Sequence, residues 1–390
     1  SPLFKIFLVI TSLAGFLMAQ TAEEFRKEQM SGFDSYKTTQ EAAFKKYQKD
    51  QMKAFADYKK EVGALWSEPK MSTKKAWVSY TKDKKTRTDV DFSKETITVE
   101  TIASSPQEAR TKLKIALAKA VTVDTKTVQE TDPLEVKLDA LKKPSGVVDG
   151  KVKAEPILST VIFKKPPTKK SVFIYVKKNI TDEKMKVVKS DKVKHKKVYS
   201  IQVKMPSNAM VKRSEVYKNV IMKNAKKQKL PVSLVFAIMH SESNFNPRAR
   251  SHVPAFGLMQ IVPKTAGIDA YNFLYKKKKL VTGQYLYDST QNITMGTAYL
   301  HILYFKYLRK IKDPKSRMYC TIAAYNTGSG NIAWAFTKKY NMNKAAPLIN
   351  EMSAEQVYKK LRKDLRWPEA QNYLKKVSTR MTSYHKIYGS

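Results

Sequence analysis

Between Ala22 and Trp66 aromatic residues return every eleven positions in two interleaved series: Phe33, Phe44, Phe55 and Trp66, and Phe25, Tyr36, Tyr47 and Tyr58. Eleven residues close three turns of about 3.67 residues each, so both series fall on one nearly straight stripe of a continuous helix. Lys and Glu fill the other faces, which leaves the stripe to be covered by the rest of the chain, by a second copy or by a membrane surface. Packing within the chain is the favoured cover. Past Glu68-Pro69 the period drops to two. Ala76 to Tyr80, Thr88 to Phe92 and Glu95 to Ala103 alternate apolar and polar residues, as strands with one buried face do. Ser105-Pro106-Gln107-Glu108 supplies an N-cap, a Pro at the first helical position and a Glu three residues after the cap, which opens a helix to about Ala120.

Residues 122 to 170 are rich in Lys, Pro and Gly and read as a mobile insertion with a strand at Ile157 to Phe163. Val172 to Val176 and Val198 to Met205 read as further strands. Pro206 to Asn208 marks a linker, and the pattern beyond it is helical: Glu215 to Gln228, Val232 to Ser243, Ser289 to Leu308, Arg317 to Tyr325, Asn331 to Tyr340 and Glu369 to Tyr388. The expectation is an α+β multidomain chain: a long N-terminal helix and a small α+β domain over 20–206, then an all-α domain over 207–390.

Ahead of these, Leu3 to Ala19 is an apolar segment broken only by Lys5, at the short limit for a spanning helix and in the form of a secretory signal. The chain opens on Ser1, so an initiator Met is expected one residue earlier. Residues 1–19 are read as a signal peptide cleaved after Ala19, with an uncleaved anchor as the competing reading. Either implies export. No cysteine near Ala14 to Gln20 offers a lipid-attachment site.

Composition narrows the partners only in part. Lys and Arg number 74 against 34 Asp and Glu, a formal charge of +40 over 390 residues. That field favours polyanions, whether nucleic acid, anionic lipid or cell-wall acids. The lysines are dispersed and lack the clustered aromatics of a single-strand binder, so nucleic acid is not expected. The single Cys320 excludes an internal disulfide and any CxxC metal site, and it lies in an apolar run that suits a buried thiol. Five histidines without ligand spacing argue for no metal and no cofactor.

The chemistry concentrates at Glu242. Leu234, Val235, Ile238 and Met239 recur at helical spacing behind Pro231, and Glu242 continues that stripe seven residues from Val235 and three from Met239. A carboxyl on the face that a helix buries has its charged form disfavoured and its pKa raised, as a general acid near neutral pH requires. Gly257 permits close backbone approach and Gln260 both donates and accepts. For chemistry that calls for a second carboxylate none is close along the chain, since Ser243 through Gly267 contains neither Asp nor Glu. One acid must serve twice, or Asp269, Asp288 or Glu369 must fold in.

These residues stand in an ordered series of blocks: Glu242-Ser-x-Phe-x-Pro-x-Ala249, Ser251, Gly257-Leu-Met-Gln260, Asn292-Ile-x-x-Gly-x-x-Tyr-Leu300 and Ala324-Tyr-Asn-x-Gly328. The series resembles the lytic transglycosylase domain, the goose-lysozyme-like module that cleaves peptidoglycan, over about residues 208 to 388. Thr327 departs from the family's commoner Ala, and Glu369-Ala-Gln-Asn-Tyr373 from its Glu-Thr-Arg-x-Tyr. Trp66-Ser-Glu-Pro-Lys70, Trp77-Val-x-Tyr80, Val90-Asp-Phe92 and Ile97-Thr-Val-Glu100 resemble the N-terminal domain of the membrane-bound lytic murein transglycosylase C family.

The resemblance implies a lysozyme-like fold for the helical half and cleavage of the MurNAc-GlcNAc β-1,4 bond without water, releasing 1,6-anhydro-muramoyl ends. It implies Glu242 as acid and then base, with Tyr325 orienting it or stabilising positive charge on the sugar. Ser251 would meet the N-acetyl group or steer Glu242, and Gln260 would bind substrate. Asn326 and Gly328 would shape the cleft, and Glu369 and Tyr373 would line its far wall. The implied partners are glycan strands and a membrane, with the periplasm, against the outer membrane, as the implied location. A hydrolytic lysozyme and an inactive glycan-binding scaffold are the rival readings.

Overall fold

The computed structural model describes residues 39–389 apart from 253. The apolar segment 1–19 and the aromatics Phe25, Phe33 and Tyr36 lie outside the described residues. Among the described residues, one compact unit takes 39–56 together with Leu138–Ser145, and a second takes Asp57–Lys137 with 146–389.

The expected aromatic helix, α1, runs over residues 39–63. In the first unit Tyr47 is buried and Gln40 donates to Ser145 Oγ at 2.8 Å. In the second unit the stripe ends under the sheet. Tyr58 and Trp66 meet the Tyr80 ring edge-on, and Trp66 Nε1 donates to the Lys84 carbonyl at 2.7 Å. Packing within the chain therefore holds for these two members.

The sheet is antiparallel throughout, in the order β1-β2-β3-β5-β4, from Ala76–Tyr80, Thr86–Asp91, Thr96–Ala103, Lys186–Lys189 and Lys197–Lys204. Alternation sets the register: Trp77 faces Val90 and Ile97 faces both Val90 and Val203, so one face is continuous apolar surface. Helix α2 (Pro106–Thr122) covers it with Leu113 and Leu117, started by Ser105 Oγ accepting from Glu108 N. After it come α3 (Thr125–Thr131), α4 (Pro133–Asp139), α5 (Ser159–Ile162) and α6 (Lys169–Asn179).

The last two correct the sequence reading, which expected strands at Ile157 to Phe163 and Val172 to Val176. The run Val172-Phe-Ile-Tyr-Val176 has strand-like composition. A Thr168/Ser171 capping box nucleates a helix there instead, and Phe173 and Ile174 end up exposed while Val176 is buried beside α2. The lysine-rich edge strand Lys186–Lys189 was not expected at all.

Beyond Met205 the second unit is helical: α7 (Ala209–Gln228), α8 (Val232–Ser243), α9 (Ile268–Tyr275), α10 (Gly283–Tyr287), α11 (Ser289–Ile302), α12 (Pro314–Thr327), α13 (Ser329–Thr337), α14 (Met342–Asn350), α15 (Ala354–Asp364) and α16 (Pro368–Tyr388). Helix α8 has its expected bounds and lies at the centre, buried from Ser233 to Met239. Its Phe236 stacks on Tyr384 and Tyr388 of α16, centroids 5.3 and 4.3 Å away. The α+β layout stands as expected. Among the described residues no helix is long and apolar enough to cross a membrane.

Sheet and helices are joined by a buried guanidinium. Arg213 of α7 donates to the Phe92 carbonyl at the β2–β3 turn (3.0 Å) and to the Asn244 carbonyl just past α8 (3.2 Å).

Candidate active site

Helix α8 turns polar at His240 and ends at Ser243. Asn244 and Phe245 both take left-handed φ, 53° and 59°, which stops the helix and throws the chain back across its own end. Ser243 Oγ then donates to the Leu258 carbonyl at 2.7 Å and ties the helix end to the loop that carries Gly257 and Gln260.

That loop is pinned from three sides. Gly257 has φ +73°, and a Cβ there would lie 2.4 Å from both Asn292 Nδ2 and the Leu286 carbonyl, so no other residue fits. Asn292 donates to the Phe256 and Leu286 carbonyls and accepts from Met259 N, each at 2.8 Å. Gly296, one turn on, lets the Met259 side chain lie against α11. Tyr325 Oη donates to the Met259 carbonyl at 2.7 Å. The separate sequence blocks thus meet at one backbone segment beside Glu242.

Glu242 is buried, 6% exposed. Its partner is Tyr373 Oη, which donates to Oε1 at 2.7 Å. Burial pushes its carboxyl up to about 6; nearby Lys74, the Tyr373 hydrogen bond and Lys75 pull the other way, and Glu369 adds to the rise. The Tyr373 phenol is in turn held well above its ordinary value by burial and by the Glu242 charge, so it stays a donor.

A cavity of about 210 Å³ opens at this carboxyl, lined by Glu242, Ser241, Asn326, Glu369, Asn372, Tyr373 and three lysines, Lys74, Lys75 and Lys376. A buried acid with one neutral donor, facing a cavity large enough for part of a sugar ring, can give a proton and take one back. A family model for the Transglycosylase SLT domain matches residues 219–347, and one for the N-terminal domain of membrane-bound lytic murein transglycosylase C matches residues 39–144. The chain is 33% identical over 323 residues to membrane-bound lytic murein transglycosylase C of Klebsiella pneumoniae subsp. pneumoniae, covering 82% of this chain and 85% of that protein.

The chain belongs to the membrane-bound lytic murein transglycosylase C family.

The protein of that name from Salmonella paratyphi B is likewise 33% identical over 319 residues, covering 80% of this chain and 82% of the relative. Among solved structures, the 70 kDa soluble lytic transglycosylase of Escherichia coli is similar at 24% identity and a TM-score of 0.36. That match covers 47% of this chain and 26% of that one. An inactive variant of the lytic transglycosylase Slt from Pseudomonas aeruginosa gives 22% identity and a TM-score of 0.35, over 46% and 28%.

Of the residues singled out from the sequence, Glu242, Asn326, Glu369 and Tyr373 share the cavity. Tyr325, expected to orient Glu242, spends its hydroxyl on Met259, and the phenol on the carboxylate is Tyr373. Tyr325 still lies close enough that the Glu242 charge, after burial, raises its hydroxyl pKa. Ser251, expected to meet the N-acetyl group or to steer Glu242, accepts from Ala255 N at 3.1 Å within its own loop. Gln260 takes φ 52° and donates to the Gly257 carbonyl at 3.0 Å, leaving its Oε1 buried and, among the described residues, without a partner. Of the possible second carboxylates, Asp288 caps α11 and Asp269 accepts from Tyr307, so Glu369 alone of the three lines the cavity.

Sequence reasoning missed Lys74, Lys75, Ser241, Asn372 and Lys376. Asn372 sat inside a recognised block; the two lysines before β1 carried no local signal, since only the fold brings them to α8.

Proposed function

We propose that Glu242 is the acid and base of a lytic transglycosylase acting on peptidoglycan. The enzyme cleaves the β-1,4 bond between MurNAc and GlcNAc. Glu242 gives its proton to the bridging oxygen as the muramic C1–O bond breaks. The carboxylate so formed takes the proton of the C6 hydroxyl, whose oxygen closes on C1 as a 1,6-anhydro ring. Glu242 ends protonated again and no water is consumed.

The observation that carries this is the burial of Glu242 at a cavity with Tyr373 as its donor and, among the described residues, no cation in an ion pair with it. A pKa near 6 keeps a useful acid fraction and still permits the return step. Tyr373 orients the carboxyl. Tyr325 acts through the Met259 backbone and its electrostatic coupling to Glu242. Gln260 offers its free Oε1 to substrate, Ser251 holds the loop beside it, and Asn326 and Glu369 line the cleft. Mass spectrometry of products from purified sacculi tests the reaction. Anhydro ends are expected, and reducing ends, heavier by one water, would identify a hydrolase instead.

The same reading divides the chain into a signal or anchor at 1–19, a domain over 20–206 and a catalytic domain over 207–390. It places the protein in the cell envelope, in the periplasm and against the outer membrane; the relatives' name, membrane-bound, supports the membrane association. N-terminal sequencing of protein recovered from fractionated cells checks both: recovery in the cytosol with residues 1–19 intact would refute export.

A further inference from the structure

Lys74 and Lys75 belong to the segment that leads into β1, yet they line the Glu242 cavity with Lys376 of α16. Their backbone is tied in place there. The Lys74 carbonyl accepts from Asn246 Nδ2 at 3.3 Å and the Thr73 carbonyl from Arg250 N at 3.2 Å, both from the loop that follows Glu242. The Lys75 carbonyl accepts from Phe92 N at 2.8 Å. One turn along α16 from Lys376, Arg380 donates to Ser241 Oγ at 3.0 Å and adds a fourth positive charge.

Two carboxylates, Glu242 and Glu369, line the same cavity, so the cations outnumber the acids there. Among the described residues none of the three lysines forms an ion pair, whereas lysines elsewhere on the sheet do, as Lys70 does with Asp89 and Glu100. Burial, then the Arg380 and Lys376 charges, hold the Lys75 amine below its ordinary value, while Glu242 pulls it back. Cations gathered in a half-enclosed space where they outnumber the carboxylates favour an arriving anion, because it offsets their mutual repulsion. The amines are donors only, so the group must accept hydrogen bonds as well as carry negative charge.

The glycan backbone itself is neutral. Muramic acid alone departs from this, through the acid arm on its C3, which ends either in the peptide stem with its free carboxylates or in a bare lactyl carboxylate. That arm leaves the ring whose C1–O bond lies at Glu242. We propose that Lys74, Lys75 and Lys376 form a carboxylate-binding subsite for the acid arm of the muramic acid at the cleavage point. The subsite makes the α+β part of the chain a determinant of substrate choice. It rests on the cavity being the glycan cleft.

The test is equilibrium binding to full-length Glu242→Gln, which separates recognition from turnover. The probes are a stem-bearing glycan oligomer, the same oligomer stripped of stems by an amidase, and uncharged chitotetraose. Adding Lys74→Met and Lys75→Met together is expected to lower the ratio of acid-arm to chitotetraose affinity about tenfold. Lys376→Met, on an exposed turn of α16, is expected to lower it about threefold and keeps the test open should the double variant misfold. A loss in the stem-bearing arm alone assigns the subsite to stem carboxylates, a loss in the stripped arm alone assigns it to the bare lactyl carboxylate, and a loss in both shows that it takes either end of the acid arm. An unchanged ratio, or an equal loss for chitotetraose, overturns the subsite. Residual cleavage by Glu242→Gln would overturn the catalytic assignment, and the binding ratio would still decide the subsite.

Discussion

Glu100 and Glu242 are the same side chain, similarly shielded, under opposite electrostatic regimes. Glu100 on β3 has a side chain 13% exposed and receives Arg87 Nε at 2.6 Å and Lys70 Nζ at 3.3 Å. Burial alone raises its carboxyl, but the two cations overcome that and hold it below the usual carboxylate range. Glu242 on α8 is 6% exposed and receives a phenol, so burial wins and its carboxyl rises to about 6. A buried carboxylate with partners is an anchor. One left with a neutral donor is a proton store, and the fold bears its cost.

Exchanging the two acids for amides breaks the comparison most sharply. Glu242→Gln removes the proton and is expected to lower release of anhydro-muropeptides about a thousandfold with the fold intact, read by product chromatography and circular dichroism. Glu100→Gln at the anchor is expected to leave the mechanism alone and to cost about 3 kcal/mol in denaturant unfolding, because Arg87 loses its charged partner. An activity loss matching Glu242→Gln at unchanged stability would reverse the two roles.

The pH dependence sharpens it further. Glu100 has a depressed folded pKa, so its contribution is present above the ordinary carboxylate range and is lost as pH falls through the folded value. Glu242 has a raised one, so its contribution is complete below the ordinary range and is lost as pH rises through about 6. Glu242→Gln, uncharged throughout, is therefore expected to unfold about 1–2 kcal/mol later than the native chain at pH 7 and to match it near pH 4. Equal stability at both pH values would mean that Glu242 is not desolvated.

The smallest effect concerns the donor. Cleavage should decline as pH rises through about 6, since Glu242 must begin protonated. Tyr373→Phe removes a bond that favours the charged form, so the declining limb moves upward in pH, while loss of the bond that orients the carboxyl lowers the turnover plateau below that limb about tenfold. A limb that moves downward would assign Tyr373 a different partner.

Much of this was legible in the chain. The period of eleven, the alternation over β1 to β3, the Ser105 cap and the placement of Glu242 on the apolar stripe of α8 are local patterns, and local patterns survive translation into structure. The blocks around Gly257, Asn292 and Tyr325 were visible as an ordered set. Why they belong together was not, since Asn292 and Tyr325 act on the backbone of Met259, which a list of side chains does not reveal. Val172 to Val176 misled because composition competes there with a capping box and with the neighbouring α2.

By itself the sequence determined that a helix would bury an acid at its end and that a Gly would follow where only a Gly fits. Tertiary structure alone decided that Tyr373 rather than Tyr325 or Ser251 would hold that acid, that Arg213 would join sheet to helix, and that Lys74 and Lys75 would reach the cavity. The reason is range. Periodicity and capping are set by neighbours within a turn or two, whereas a carboxyl's pKa depends on charges and burial supplied by segments far away along the chain.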